Sequence, residues 1–262
     1  MIKFFRKIRR NLLSQGKTGT YFKYAIGEII LVVIGILIAL KINTWQMEKD
    51  DRKTEISLLK NIKSDLENDI REYRSVREFK LAQNEAAVRL LDYMIDRSRP
   101  LRDTVQFVND FQLVIYFIVP SSNRTSFDLA VNTGYMNNIT NENLAREVSR
   151  YYNNMGLEQH VLETKRFTNA YNENYLINKY PMFSNKVMAL DGQGGTYRLE
   201  QYGRDKRPVI QPDDIRGDLS LENYFNELSI RMKIGILGLE KEEKWAMELI
   251  KTIDHELGEM ME

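Results

Sequence analysis

One stretch constrains this chain more than any other: residues 24–42, YAIGEIILVVIGILIALKI, with an unbroken apolar run over 29–40. Nineteen residues at ~1.5 Å rise make a helix roughly 28 Å long, about the thickness of a bilayer's hydrocarbon core. Tyr21, Phe22 and Tyr24 stand before the run and Trp45 after it. Amphipathic rings collect in this way at the two interfaces of a membrane. The segment is therefore expected to be a transmembrane helix rather than a buried core helix.

Charge sets the expected orientation. Residues 1–27 carry Lys3, Arg6, Lys7, Arg9, Arg10, Lys17 and Lys23 and no acid. Beyond the run, Lys41, Lys49, Arg52 and Lys53 are balanced by Glu48, Asp50, Asp51 and Glu55. The positive-inside rule then predicts a cytoplasmic N-terminus, with the bulk of the chain periplasmic in a bacterial inner membrane. A cleaved signal peptide would need small residues at the cleavage site, and the chain reads Ala39-Leu40-Lys41-Ile42-Asn43-Thr44-Trp45 there. An uncleaved signal anchor is expected. The total of 38 basic and 37 acidic residues hides this asymmetry: beyond residue 27 there are 31 basic against 37 acidic residues. A basic tip beside an acidic body suits anionic lipid, with Arg6, Lys7, Arg9, Arg10, Tyr24, Glu28 and Trp45 as membrane-interface residues, and no nucleic-acid partner is expected.

Three regions follow: a basic amphipathic cytoplasmic segment, 1–23, the transmembrane helix, 24–42, and a periplasmic helical domain, 43–262. Ile56, Leu59, Ile62, Leu66, Ile70, Tyr73 and Val76 recur every three or four residues, and the pattern continues through Ala87, Leu90, Leu91 and Met94. This period predicts one long amphipathic, coiled-coil-like helix over 47–96, continuing the membrane helix or following it after a short break. A second helical pattern over 101–119 runs into LVIYFIV, too short to cross a bilayer and suited to a buried helix end or a strand. A third helix is expected near Thr125, with Thr125 as N-cap, Asp128 three residues on and Gly134 as its stop. A fourth begins at Thr140 or Asn141 and aligns Leu144, Val148, Tyr151 and Tyr152. A fifth covers 157–180, and helical segments over 219–260 draw apolar positions from Leu237, Leu239, Trp245, Leu249, Ile253 and Leu257. Residues 191–217, with five glycines and two prolines, read as a loop. The fold class expected is mainly α: one N-terminal transmembrane helix, a long membrane-proximal helix and an elongated helical bundle.

Recognisable chemistry is sparse. The absence of cysteine excludes disulfides and thiolate chemistry. His160 and His255 lie in no zinc-binding spacing, and no Walker, dinucleotide or nucleophile-elbow motif occurs. No enzyme activity, cofactor or metal is expected. Gly27, Gly35 and Ala39 fall on one face of the membrane helix, where small residues let helices approach closely. They are the candidates for helix association, with a homo-oligomer or another membrane protein as partner beside the lipid bilayer. Glu28, one turn inside the cytoplasmic end, reads as an interfacial carboxylate.

Residues 4–9 (FFRKIR), 22–29 (FKYAIGEI) and Ile42, Asn43 and Trp45 together resemble the opening of an uncharacterised family of small single-pass membrane proteins abundant in Bacteroidota; 127–152 resembles it more weakly. The resemblance implies an inner-membrane protein and brings no activity, ligand or catalytic residue. The function expected is that of an interaction, scaffold or accessory protein. The alternative is a periplasmic small-ligand sensor signalling through its one membrane helix, with Tyr171, Tyr175, Tyr180 and Phe183 as candidate surface.

Overall fold

The computed structural model describes residues 18–96, 98, 103–154, 156–180, 188–190, 197–199 and 212–261. In chain order these form α1 (Thr18–Ile95), α2 (Thr104–Ile115), α3 (Thr125–Thr133), a 3-10 turn (Tyr135–Asn138), α4 (Glu142–Tyr152) and α5 (Gly156–Tyr171). A π-helical turn (Asn172–Leu176), α6 (Ile177–Lys179), a two-stranded antiparallel ribbon of β1 (Met188–Leu190) and β2 (Tyr197–Leu199), a second 3-10 turn (Pro212–Ile215) and α7 (Leu219–Met261) complete it. The fold is mainly α: a long N-terminal apolar helix followed by further helices. The loop expected over 191–217 contains β2 and the second 3-10 turn.

The chain divides into two compact units, Met1–Glu55 and Ile56–Glu262. In the first, the described residues belong to α1, and none of the apolar window is buried; Leu31 is 72% exposed. Past the apolar run the helix surface satisfies itself locally. Thr44 donates to the Leu40 carbonyl (3.0 Å), Gln46 to Asp50 (3.0 Å), and the Lys49 ammonium lies 5.4 Å from the Trp45 ring centroid.

In the second unit the three-and-four spacing of α1 becomes a buried stripe. Leu59, Ile62, Leu66 and Val76 are fully enclosed. α7 runs antiparallel along α1, as its ties show: Lys63 to Asp254 (2.6 Å), Arg74 and Arg77 to Glu243 (2.6 Å each), and Ser229 to Asn84 (2.7 Å). Two apolar clusters follow one another along this pair. One joins the 58–70 stretch of α1 to α3, α4 and the C-terminal part of α7. The other joins the 73–94 stretch to α2, Leu176, Tyr180 and the N-terminal part of α7. Apolar burial at ~25 cal/mol per Å² is the main force holding such pairs together.

Several local expectations shift. α2 ends at Ile115 rather than running to 119, because buried Gln83 of α1 donates to the Leu113 carbonyl (2.9 Å) and to that of Tyr116, meeting groups a longer helix would have bonded. Thr125 is the first residue of α3, not its cap. Asn123 accepts from the Thr125 N–H (3.2 Å), and Asp65 of α1 accepts from the Ser126 N–H (2.9 Å). Gly134 ends α3 in the left-handed region (φ 78°), where a side chain would be strained. Asn141 caps α4 by accepting from Asn143 and Leu144, and Leu144, Val148, Tyr151 and Tyr152 form its buried face. Leu237 lies on the outer face of α7 at 65% exposure, in line with Ile230 and Ile234, while Leu239 turns inward.

Candidate functional site

The association face of the apolar helix is open. A Cβ built on Gly27 or Gly35 would meet nothing within 4 Å, and Ala39 is exposed. Glu28 is half-buried, and Trp45 is exposed. The backbone of Tyr24 is helical; Arg6, Lys7, Arg9 and Arg10 lie outside the described residues.

Sequence reasoning did not find the chemically densest place in the second unit. Asp65, Asp69 and Tyr73 recur every four residues along one edge of α1, beside Leu66 and Ile70. The irregular segment after α2 crosses that edge and delivers its backbone to the carboxylates. Asp69 accepts from the Asn123 backbone N–H (2.6 Å), and Asp65 accepts from the Asn123 side chain (2.8 Å) as well as from Ser126. Glu72 accepts from the Ser121 N–H. The end of α4 closes the network from the other side. Tyr151 donates to Asp69 (2.9 Å), and its hydroxyl oxygen lies 3.2 Å from that of Tyr73.

Burial governs the electrostatics. It pushes the Asp69 carboxyl up to about 6, against the opposing bonds from Asn123 and Tyr151. Glu72 and, on α7, Glu242 are raised for the same reason, and the Tyr73, Tyr151 and Tyr152 phenols are held neutral. Tyr151 meets Trp245 edge-on at 5.5 Å, and Tyr152 stacks on Phe127 at 4.8 Å.

Beside this network lies a cavity of about 340 Å³. Tyr73, Tyr151 and Tyr152 line one side, Val119 to Ser122 with Arg124 another, and Asn154, Leu157, Glu158, Leu162 and Glu242 the rest. The volume falls within the range that holds small organic ligands, roughly 300–1,000 Å³. Arg124 is already engaged: it donates to the Tyr152 carbonyl and to Asp128 (3.2 Å) and lies over the Phe127 ring.

The tyrosines expected as a ligand surface do other work. Tyr175 and Tyr180 donate to Asp218, which also caps α7 through the Ser220 and Leu221 N–H groups. Burial alone would raise Asp218, but hydrogen bonds from Lys179, Tyr180 and Tyr175 outweigh it and hold the carboxyl at about 2. Tyr171 stacks on Tyr224 with ring centroids 4.0 Å apart. Phe183 lies outside the described residues. His160 Nε2 sits 3.1 Å from the Arg231 carbonyl oxygen, and His255 is 3.7 Å from Glu259. Among the described residues, no three His, Asp or Glu side chains gather at metal-binding spacing.

Residues 28–158, half of the chain, match a family of unknown function, DUF6090, so the chain belongs to that family. No curated protein and no solved structure matches it. The matched region contains Gly35 and Ala39 of the apolar helix and the Asp65–Asp69–Tyr151 network; Gly27 and the Leu162 and Glu242 sides of the cavity lie outside it.

Proposed function

We propose that this family member is a single-pass anchor protein of the bacterial inner membrane, N-terminus cytoplasmic, whose periplasmic helical domain serves an interaction, scaffold or accessory role without catalysis. The carrying observation is the helix over the 24–42 stretch: it is long and apolar enough to cross a bilayer, and none of its apolar window is buried. Exposing that much apolar surface to water is costly, whereas lipid accommodates it. The Lys/Arg excess before the run supports the orientation. The residue pattern at the N-terminus supports a Bacteroidota source. The open Gly27, Gly35 and Ala39 face supports association with a second copy or another membrane protein. The acidic body argues against nucleic acid as a partner. Within the domain, the polar clusters at Asp65, Asp69 and Asp218 engage helix ends and neighbouring side chains, which suits a binding body.

Two-sided protease accessibility tests the topology, with cleavage in 191–217 expected only from the periplasmic side. Crosslinking and pull-down from native membranes test the role. A strictly monomeric protein with no co-purifying partner would refute it.

The cavity beside Tyr73 and Tyr151 favours a second reading, a sensor whose domain binds a small ligand. It departs from the surface first expected at Tyr171, Tyr175 and Tyr180. Reproducible ligand-induced thermal stabilisation of the full chain supports it; a flat response across a chemically broad screen removes it.

A further inference from the structure

The charges and rings around the cavity say more than that it has room. Two carboxylates line the cavity, buried Glu242 and exposed Glu158, while Asp69 and Glu72, outside the lining, join Glu242 in acting electrostatically on Tyr73. Glu242 is buried, with one oxygen held by Asn154 Nδ2 (2.6 Å), and Lys241 is the cation that acts on it electrostatically. The one basic residue among the described lining residues, Arg124, is engaged by the Tyr152 carbonyl and Asp128. Two acids against one engaged base leave an acidic excess in the lining, and an excess of one charge within low-dielectric walls concentrates ions of the opposite sign.

The aromatic groups agree. Tyr73, Tyr151 and Tyr152 contribute ring surface, and rings attract cations. Tyr152 is only 3% exposed, yet its hydroxyl has no hydrogen-bond partner among the described residues. Such orphans are rare in folded proteins. Val119, Pro120, Leu157 and Leu162 supply apolar wall.

We infer that this cavity recognises a small organic cation, an ammonium group on a compact apolar body, with Glu242 as its principal counter-charge and the tyrosines as its aromatic wall. The inference rests on the sensor reading and specifies its ligand class. Glu158 adds charge at the opening, and Arg124, held by its own partners, offers an anion little.

The test is isothermal titration of the full chain in zwitterionic nanodiscs, with the emission of a Trp45→Phe variant, which leaves Trp245 as its one tryptophan, as a second readout. The probes are phenethylammonium, phenylacetate and 2-phenylethanol, and empty nanodiscs give the blank. Phenethylammonium is expected to bind about tenfold more tightly than either other probe, and Glu242→Gln to lower its affinity about tenfold. Should Glu242→Gln disturb the far-UV spectrum, the exposed Glu158→Gln carries the comparison, with a loss of about threefold expected. Phenylacetate or phenylethanol binding as well as the cation overturns the ligand class and leaves the sensor reading standing. Undiminished cation binding in both variants overturns the site. No binding of any probe overturns the inference, and a flat broad thermal-shift screen then removes the sensor reading as well.

Discussion

Asp69→Asn isolates the buried carboxylate at the centre of the network. Asp69 is 1% exposed and titrates near 6 instead of near 3.8. Its native pKa is raised, so between those values the folded chain holds a proton that the unfolded chain has released. Stability is therefore greatest below about pH 4, falls as pH rises to about 6, and is flat above that. The difference of about two pH units corresponds to a loss of about 3 kcal/mol, an upper bound because solvent penetration weakens it. Glu72 and Glu242 are raised in the same direction and add to the wild-type slope. Lys80, pushed down to about 8 by burial, changes stability only above pH 8, and Asp218, held at about 2, only below about 4. The amide that replaces the carboxyl in the variant does not titrate. Its carbonyl oxygen still accepts from Asn123, while Tyr151 turns to accept from the new amide N–H and donates to Tyr73. The variant is thus expected to lose about 1 kcal/mol at pH 4 and to match or exceed wild type at pH 8. Urea unfolding followed by far-UV circular dichroism, on the full chain in non-ionic micelles from pH 4 to 8, measures the difference. Wild-type and variant curves running parallel, within about 0.5 kcal/mol of a constant offset, refute the reasoning.

Core and surface apolar positions should separate sharply in the same assay. Leu59→Ala, at a fully buried site, should cost about 2–5 kcal/mol, whereas Leu237→Ala should stay within about 0.5 kcal/mol. Glu243→Ala removes the acceptor of both Arg74 and Arg77; with Arg74 half exposed, a loss of about 2 kcal/mol is expected, and less than about 0.5 kcal/mol would mean that the pair of ties adds nothing. For Gly35→Leu, a Cβ at this position meets nothing within 4 Å, so the domain's unfolding transition should not move. If the small-residue face mediates self-association, in-membrane crosslinking of the variant should fall several-fold; unchanged crosslinking excludes that face.

Regular helical spacing made much of this fold legible. Leu59, Ile62, Leu66, Ile70, Tyr73 and Val76 needed only the 3.6-residue period to be placed inward, and Leu144, Val148, Tyr151 and Tyr152 likewise. α7 carries apolar side chains on more than one face, with Leu239 enclosed and Leu237 exposed. Period alone does not say which face α1 will cover. Glycine at 134 was readable as a stop because its requirement is local: one residue with positive φ ends one helix.

The network around Asp69 was illegible for the opposite reason. On sequence, Asp65 and Asp69 are acids on a charged helix, and the ordinary fate of such acids is solvation. What buries them arrives from far along the chain: Asn123 lies 54 residues from Asp69, Ser126 lies 61 from Asp65 and Tyr151 lies 82 from Asp69. No spacing rule of three or four residues reaches those partners. The Thr125 capping expectation failed through the same gap, since the Ser126 N–H finds its acceptor on another helix. A buried acid differs from a solvated one by what the tertiary fold brings to it. The residues that most define this domain's chemistry are therefore the ones whose local sequence looks most ordinary, and the pH profile of Asp69→Asn reads out that long-range burial directly.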